Sequence, residues 1–226
     1  MPNRTDYKCI IFDMDGTLTQ TNQLIYDAFN YVAEKYVHKS FTPQEIHGFF
    51  GPPEKEAVQR MIGPGHIDEA MVEYYRFYND KHNALASLYP GILDILRFLH
   101  SQEVLIALFT GKGRRTTDIT LEMFEIERYF DITITGDDVE EFKPSGEGIR
   151  SILSRFSLQP SEVLMVGDAV VDVLAAREAG ADVASVVWDS YGKHEVLQLK
   201  ADYVFDSVGA LDAWLRSLYH STGAGK

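Results

Sequence analysis

The stretch CIIFDMDGTLTQ, residues 9–20, runs four apolar residues straight into two carboxylates, Asp13 and Asp15. An apolar run without alternation suits a strand covered on both faces, as in a parallel sheet. An acidic pair where such a strand stops is more often a solvated turn than a site. The other strands decide between the two.

Further apolar runs stand at VLIALF (104–109), ITI (132–134) and EVLMV (162–166), followed by DVASVVW (182–188) and DYVF (202–205). Helical patterns separate them. GILDILRFL gathers Ile92, Ile95, Leu96 and Leu99 on one face, and IRSILSRF does the same with Ile149, Ile152, Leu153 and Phe156. VVDVLAAREAG ends in Gly180, a residue suited to a left-handed helix stop. Alternating strands and helices predict an α/β fold with a doubly wound, Rossmann-like parallel sheet.

One region breaks the alternation. From about Thr19 to Leu88 no strand is expected. QLIYDAFNYVAEKY carries a helical stripe of Leu24, Ile25, Ala28, Phe29, Val32 and Tyr36, and Thr42-Pro43-Gln44-Glu45 is a capping box with proline at the first helical position. GPPEKEAVQRMIG and IDEAMVEYYRFYNDKH continue as helices. The block is too long for a crossover, so residues 19–88 are expected to form a small helical domain. It would interrupt a core made of residues 1–18 and 89–226, with linkers near Thr19–Thr21 and Ser87–Gly91. The aromatic residues Phe49, Phe50, Tyr74, Tyr75, Phe77 and Tyr78 are read as packing.

The 226 residues are 45% hydrophobic, which suits a globular chain. A net charge of −13 argues against nucleic acid, which is held by clustered Lys and Arg. Cys9 is the single cysteine, which excludes an internal disulfide, and its apolar setting makes it a core filler. MPNRTDYK lacks the apolar stretch of a signal peptide, and no apolar run is long enough to span a bilayer. A soluble chain in a reducing, cytoplasmic setting is expected, with no membrane partner.

Ligands of open α/β sheets sit at the carboxyl ends of the strands. There the sequence places Asp13 and Asp15, then Thr110 and Gly111, then Lys143 in a later loop, then Asp168 and Asp172. Crowded carboxylates need a bound cation, a shared proton or a nearby lysine. Hard oxygen donors without a His or Cys cluster point to Mg²⁺, which keeps waters for a phosphate-bearing substrate. Thr110 offers a hydroxyl, Gly111 a close backbone N–H, and Lys143 a charge, so a phosphate-transfer site with a carboxylate nucleophile is expected.

These motifs resemble the haloacid dehalogenase superfamily, in its phosphoglycolate-phosphatase-like branch with a helical cap. The matching segments are DMDGT (13–17), FTG (109–111), FKP (142–144) and GDAVVD (167–172), in the family's order. The resemblance implies a phosphatase for a small phosphorylated metabolite. Asp13 would be the nucleophile that becomes an aspartyl-phosphate, and Asp15 the general acid and then base. Asp13, the Asp15 carbonyl and Asp168 would hold Mg²⁺, with Asp172 supporting it, while Thr110, Gly111 and Lys143 hold the phosphate. Asp15 speaks against the superfamily's dehalogenases. Gln20, Gly111 and Phe142 depart from residues common in relatives, and bear on substrate identity more than on chemistry.

Other readings of these motifs fit less well. Counted from Asp13, an EF-hand loop would need its glycine at the sixth position and finds it at the fourth. GKGRRT (111–116) has Thr116 where a dinucleotide fingerprint needs glycine. A phospho-receiver domain shares the acidic pair, Thr and Lys-Pro, but has no room for the helical insertion or for GDxxxD beyond the lysine. A sugar phosphomutase shares every motif and differs in the fate of the phosphoenzyme.

Overall fold

The computed structural model describes residues 7–190 and 192–219. The leading MPNRTD lies outside the described residues, as does the tail STGAGK, which the sequence alone reads as frayed. Six parallel strands form the main sheet: β1 (Cys9–Phe12), β4 (Leu105–Phe109), β5 (Ile132–Ile134), β6 (Val163–Gly167), β7 (Asp182–Val186) and β8 (Tyr203–Phe205). Their spatial order is β5-β4-β1-β6-β7-β8. The chain therefore builds outward from β1 on one side through β4 and β5, then returns to build on the other through β6. That reversal opens a crevice beyond the carboxyl ends of β1, β4 and β6.

Unbroken apolar strands are explained by what covers them. Ile10, Phe12, Ile106, Leu108, Leu164 and Val166 face one cluster, with α5 (Ile92–Ser101) and α10 (Val208–Tyr219) packed on it. Cys9, Ile11, Ala107, Phe109, Val163 and Met165 face the other, with α7 (Glu147–Phe156) and α8 (Val170–Ala179). Successive strand residues point to opposite faces, so β1, β4 and β6 each serve two cores. Cys9 is fully buried, and burial pushes its thiol up to about 12. Gly180 ends α8 with φ 75°, the left-handed stop its sequence position suggests.

Between β1 and α5 the chain forms α1 (Asn22–Val37), α2 (Pro43–His47), α3 (Glu54–Ile62) and α4 (Ile67–Leu85). They share a core of their own, in which Leu24, Phe29, Val32, Ile46, Val58, Tyr74 and Tyr78 are buried. Thr42 caps α2 as its sequence pattern implies: Glu45 N–H donates to the Thr42 hydroxyl at 3.3 Å, and Thr42 N–H donates to the Glu45 carboxylate at 2.7 Å.

The expectation of no strand in 19–88 is corrected. β2 (Thr19–Gln20) and β3 (Ser87–Leu88) pair antiparallel, Thr19 opposite Leu88 and Gln20 opposite Ser87. Two-residue strands leave no periodicity to read, so only folding reveals that the two connections bind one another. Among the described residues no helix is long and apolar enough to cross a membrane.

Gly148, in the first turn of α7, lies against the sheet so closely that an added Cβ would stand 2.3 Å from the Phe109 ring. Phe109 is 1% exposed and has nowhere to go. Helix propensity favours Gly148→Ala by about 1 kcal/mol, but overpacking costs about 1–3 kcal/mol. We expect a lower urea midpoint for the variant; a raised one would show that the contact relaxes freely.

Candidate active site

Asp13, Asp15, Thr110, Gly111, Lys143, Asp168 and Asp172 all line one cavity of about 220 Å³. Asp13 follows β1, Thr110 follows β4 and Asp168 follows β6, so three adjacent strands aim their ends at one point. Lys143 arrives from the loop between β5 and α7, and Asp172 from the first turn of α8.

At the centre stands the Lys143 ammonium. It donates to Asp13 Oδ1 at 2.9 Å and to Asp172 Oδ1 at 2.6 Å, and it lies 4.6 Å from the centroid of the Phe109 ring. Its side chain is 3% exposed, a depth at which a cation needs carboxylate partners. Burial pulls its pKa down, but Asp13 and Asp172 outweigh that and hold it above the ordinary range. Asp172 accepts the Ala169 N–H at 3.0 Å on its other oxygen, so both of its oxygens have protein donors.

Three carboxylates, Asp13, Asp168 and Asp172, bring oxygen atoms within 4.8 Å of one another. One ammonium cannot neutralise three. Burial pushes the Asp13 carboxyl up to about 7; Lys143 opposes this, while Asp172 and Asp15 add to it. Asp168 is raised well above the ordinary range by burial first, then by Asp172 and Asp13. A hard, all-oxygen, over-anionic donor set of this kind fits a divalent cation. Gly16 permits the crowding: its φ is +79°, and a Cβ there would stand 2.5 Å from Asp168 Oδ2.

Asp15 is held differently. Its Oδ1 accepts the Thr21 hydroxyl and, at 3.4 Å, that of Thr19, while Oδ2 accepts the Lys112 ammonium at 3.0 Å. Lys112, Thr19 and Thr21 carry no chemical role in the sequence reading, which places the two threonines in a linker, although Lys112 directly follows Thr110-Gly111. Thr110 is 2% exposed, and its hydroxyl accepts the Lys112 N–H at 3.3 Å.

The helical segment supplies the opposite wall with Ile25, Phe29, Phe50 and Ala57, together with Asn22 and His47. Burial lowers the pKa of His47. The Gly51-Pro52-Pro53 turn meets the core: a Cβ on Gly111 would lie 3.6 Å from the Gly51 carbonyl oxygen, and one on Gly136 2.7 Å from the Pro53 ring. Next to it, the buried Glu54 carboxylate accepts the Gly113 N–H at 2.7 Å and the Thr116 hydroxyl. It thereby caps α6 (Arg114–Met123), placing an acid where a helix start favours one. The sequence reading places Glu54 only within the helical segment GPPEKEAVQRMIG, with no partner in the core.

A family model described as haloacid dehalogenase-like hydrolase matches residues 10–186. Pyrophosphatase PpaX of Anoxybacillus flavithermus is 34% identical over 203 residues, covering 89% of this chain and 94% of that one. A structure from Haemophilus somnus described as a predicted phosphoglycolate phosphatase aligns with TM-score 0.83 at 22% identity, covering 94% and 100% of the two chains. One from Thermotoga maritima assigned as a β-phosphoglucomutase aligns at 0.74 with 26% identity, covering 93% and 99%.

The raised carboxyls give a test that needs no turnover. Between about pH 4 and about pH 7 the unfolded chain releases the Asp13 proton and the folded chain keeps it, so this group's contribution to stability falls as pH rises. A divalent cation offsets the repulsion only where the carboxylates are ionised. Its addition should raise Tm more at pH 8 than at pH 5; equal shifts at the two pH values would contradict the assignment.

Proposed function

This chain belongs to the haloacid dehalogenase-like hydrolases and is a phosphatase of that family; from that premise we propose that it hydrolyses a small phosphorylated metabolite through an aspartyl-phosphate on Asp13. The observation that carries the reading is the shared cavity. One carboxylate, Asp13, sits against the Lys143 ammonium, and a second, Asp15, is held apart from it by its own donors.

In this reading a substrate phosphoryl group lies between Thr110, the Gly111 N–H and Lys143, which draw charge from its oxygens. An Asp13 carboxylate oxygen attacks phosphorus, and the bond to the leaving oxygen breaks as Asp15 gives that oxygen a proton. Asp15 then removes a proton from water, which attacks the same phosphorus and releases phosphate, restoring both carboxyls. Mg²⁺, held by Asp13, Asp168 and the Asp15 carbonyl with Asp172 in support, would supply the positive charge that lets a phosphate dianion approach this cluster. We read residues 19–88 as a cap domain over a core of 1–18 and 89–226, its apolar wall excluding water from the reacting atoms.

Support for hydrolysis over mutase chemistry lies in that wall. A mutase must grip a sugar while it reorients, and most of the cap residues lining the cavity are apolar. The Thermotoga structure keeps the mutase reading on the list, and the assay below includes it. Pyrophosphate heads the panel because the Anoxybacillus relative is named for it, followed by phosphoglycolate, sugar phosphates and nucleotides.

With Mg²⁺ present, phosphate release from at least one member is expected, Asp13→Asn abolishing it and Asp15→Asn slowing it by about 10²–10⁴-fold. Activity persisting in Asp13→Asn would remove the nucleophile. Isomerised sugar phosphate accumulating ahead of free phosphate would favour the mutase.

A further inference from the structure

We propose that Lys112 is a positioning residue for the reaction, fixing the direction in which Asp15 presents its acidic oxygen. The inference rests on the phosphatase reading, in which Asp15 is the acid, and assigns Lys112 a part that no catalytic motif of the chain gives it.

Lysine is rarely buried without a specific partner. Lys112 is 7% exposed and lies in the short loop between β4 and α6, directly after Thr110-Gly111. Its ammonium meets Asp15 Oδ2 at 3.0 Å and sits 4.8 Å from the centroid of the Tyr78 ring. Tyr78 belongs to α4, is fully buried, and shares a hydrogen bond of 2.9 Å with Thr120 on α6. His82, one turn on, reaches the same hydroxyl at 3.2 Å. The lysine is thus boxed between an aromatic face below and one carboxylate above.

A carboxylate held through one oxygen still rotates; held through both, it does not. Thr21 and Thr19, at the joint between the two parts of the chain, take Oδ1, and Lys112 takes Oδ2. General acid catalysis depends on the proton lying within hydrogen-bond reach of the departing oxygen, and small misplacements are costly. The Lys112 ammonium in turn lies over the Tyr78 ring of α4, so the pose of the acid depends on how the helical segment packs against α6. Lys143 serves a separate pair, Asp13 and Asp172, so losing Lys112 leaves the nucleophile's partner in place.

The test uses two aryl phosphates of similar shape, p-nitrophenyl phosphate and phenyl phosphate, and measures release of the phenol in the first turnover. Nitrophenolate leaves with little help from an acid; phenolate needs it. Lys112→Met, which keeps the apolar stem, is expected to slow phenyl phosphate at least ~10-fold more than p-nitrophenyl phosphate, with KM little changed. Asp15→Asn should show the same selectivity, and adding Lys112→Met to it should cost less than about 2-fold further. Lys112→Arg should recover part of the selective loss, and carries the test alone if methionine prevents folding. A uniform loss on both esters, a rise in KM with kcat intact, or full additivity with Asp15→Asn would overturn the proposal. If Asp15→Asn itself is unselective, the acid assignment fails instead, and the two failures are told apart.

Discussion

The ammonium of Lys143, buried between Asp13 and Asp172, is the constraint around which the rest is arranged. Parallel strands that end together put their following residues close, and here two of those residues, Asp13 and Asp168, are acids. Without an internal cation the carboxylates would repel one another at depth, where water cannot screen them. Lys143 relieves part of that repulsion; burial first, and the repulsion that remains second, hold Asp13 and Asp168 above the ordinary carboxylate range. The remainder suits the cluster to a divalent cation, which the family generally uses.

Fold and site share parts. Phe109 closes one sheet face against α7 and also carries the Lys143 ammonium over its ring. Glu54 ties the helical segment to the start of α6, while Tyr78 of the same segment underlies Lys112. Contact between the two parts of the chain is therefore made by residues at or beside the cavity. A change in their packing would reach Asp15 before it reached Asp13.

Much of this was legible in the chain, for physical reasons. Apolar runs without alternation announce strands covered on both faces, and the polar residues that follow them must gather at one sheet edge, which is how Asp13, Thr110 and Asp168 could be grouped. Lys143 was legible as a loop lysine of the right chemistry within the FKP segment; the structure adds that it bridges Asp13 and Asp172. What escaped were contacts between residues remote in sequence. Lys112 meets Asp15 across 97 positions, and Glu54 meets Gly113 across 59, with no local pattern to signal either. The β2–β3 pair escaped because two residues cannot display a period. Gly16 stood in view, but its reason, the approach of Asp168, is visible only in three dimensions.

The central claim is covalent: phosphoryl transfer to Asp13. An acyl phosphate is reduced by borohydride, which converts a phosphorylated aspartate to homoserine and leaves an unmodified carboxylate untouched. Protein quenched during turnover, reduced and mapped by peptide mass spectrometry should carry homoserine at position 13, and only when substrate was present. Homoserine at another aspartate, or turnover with Asp13 never modified, would contradict the account.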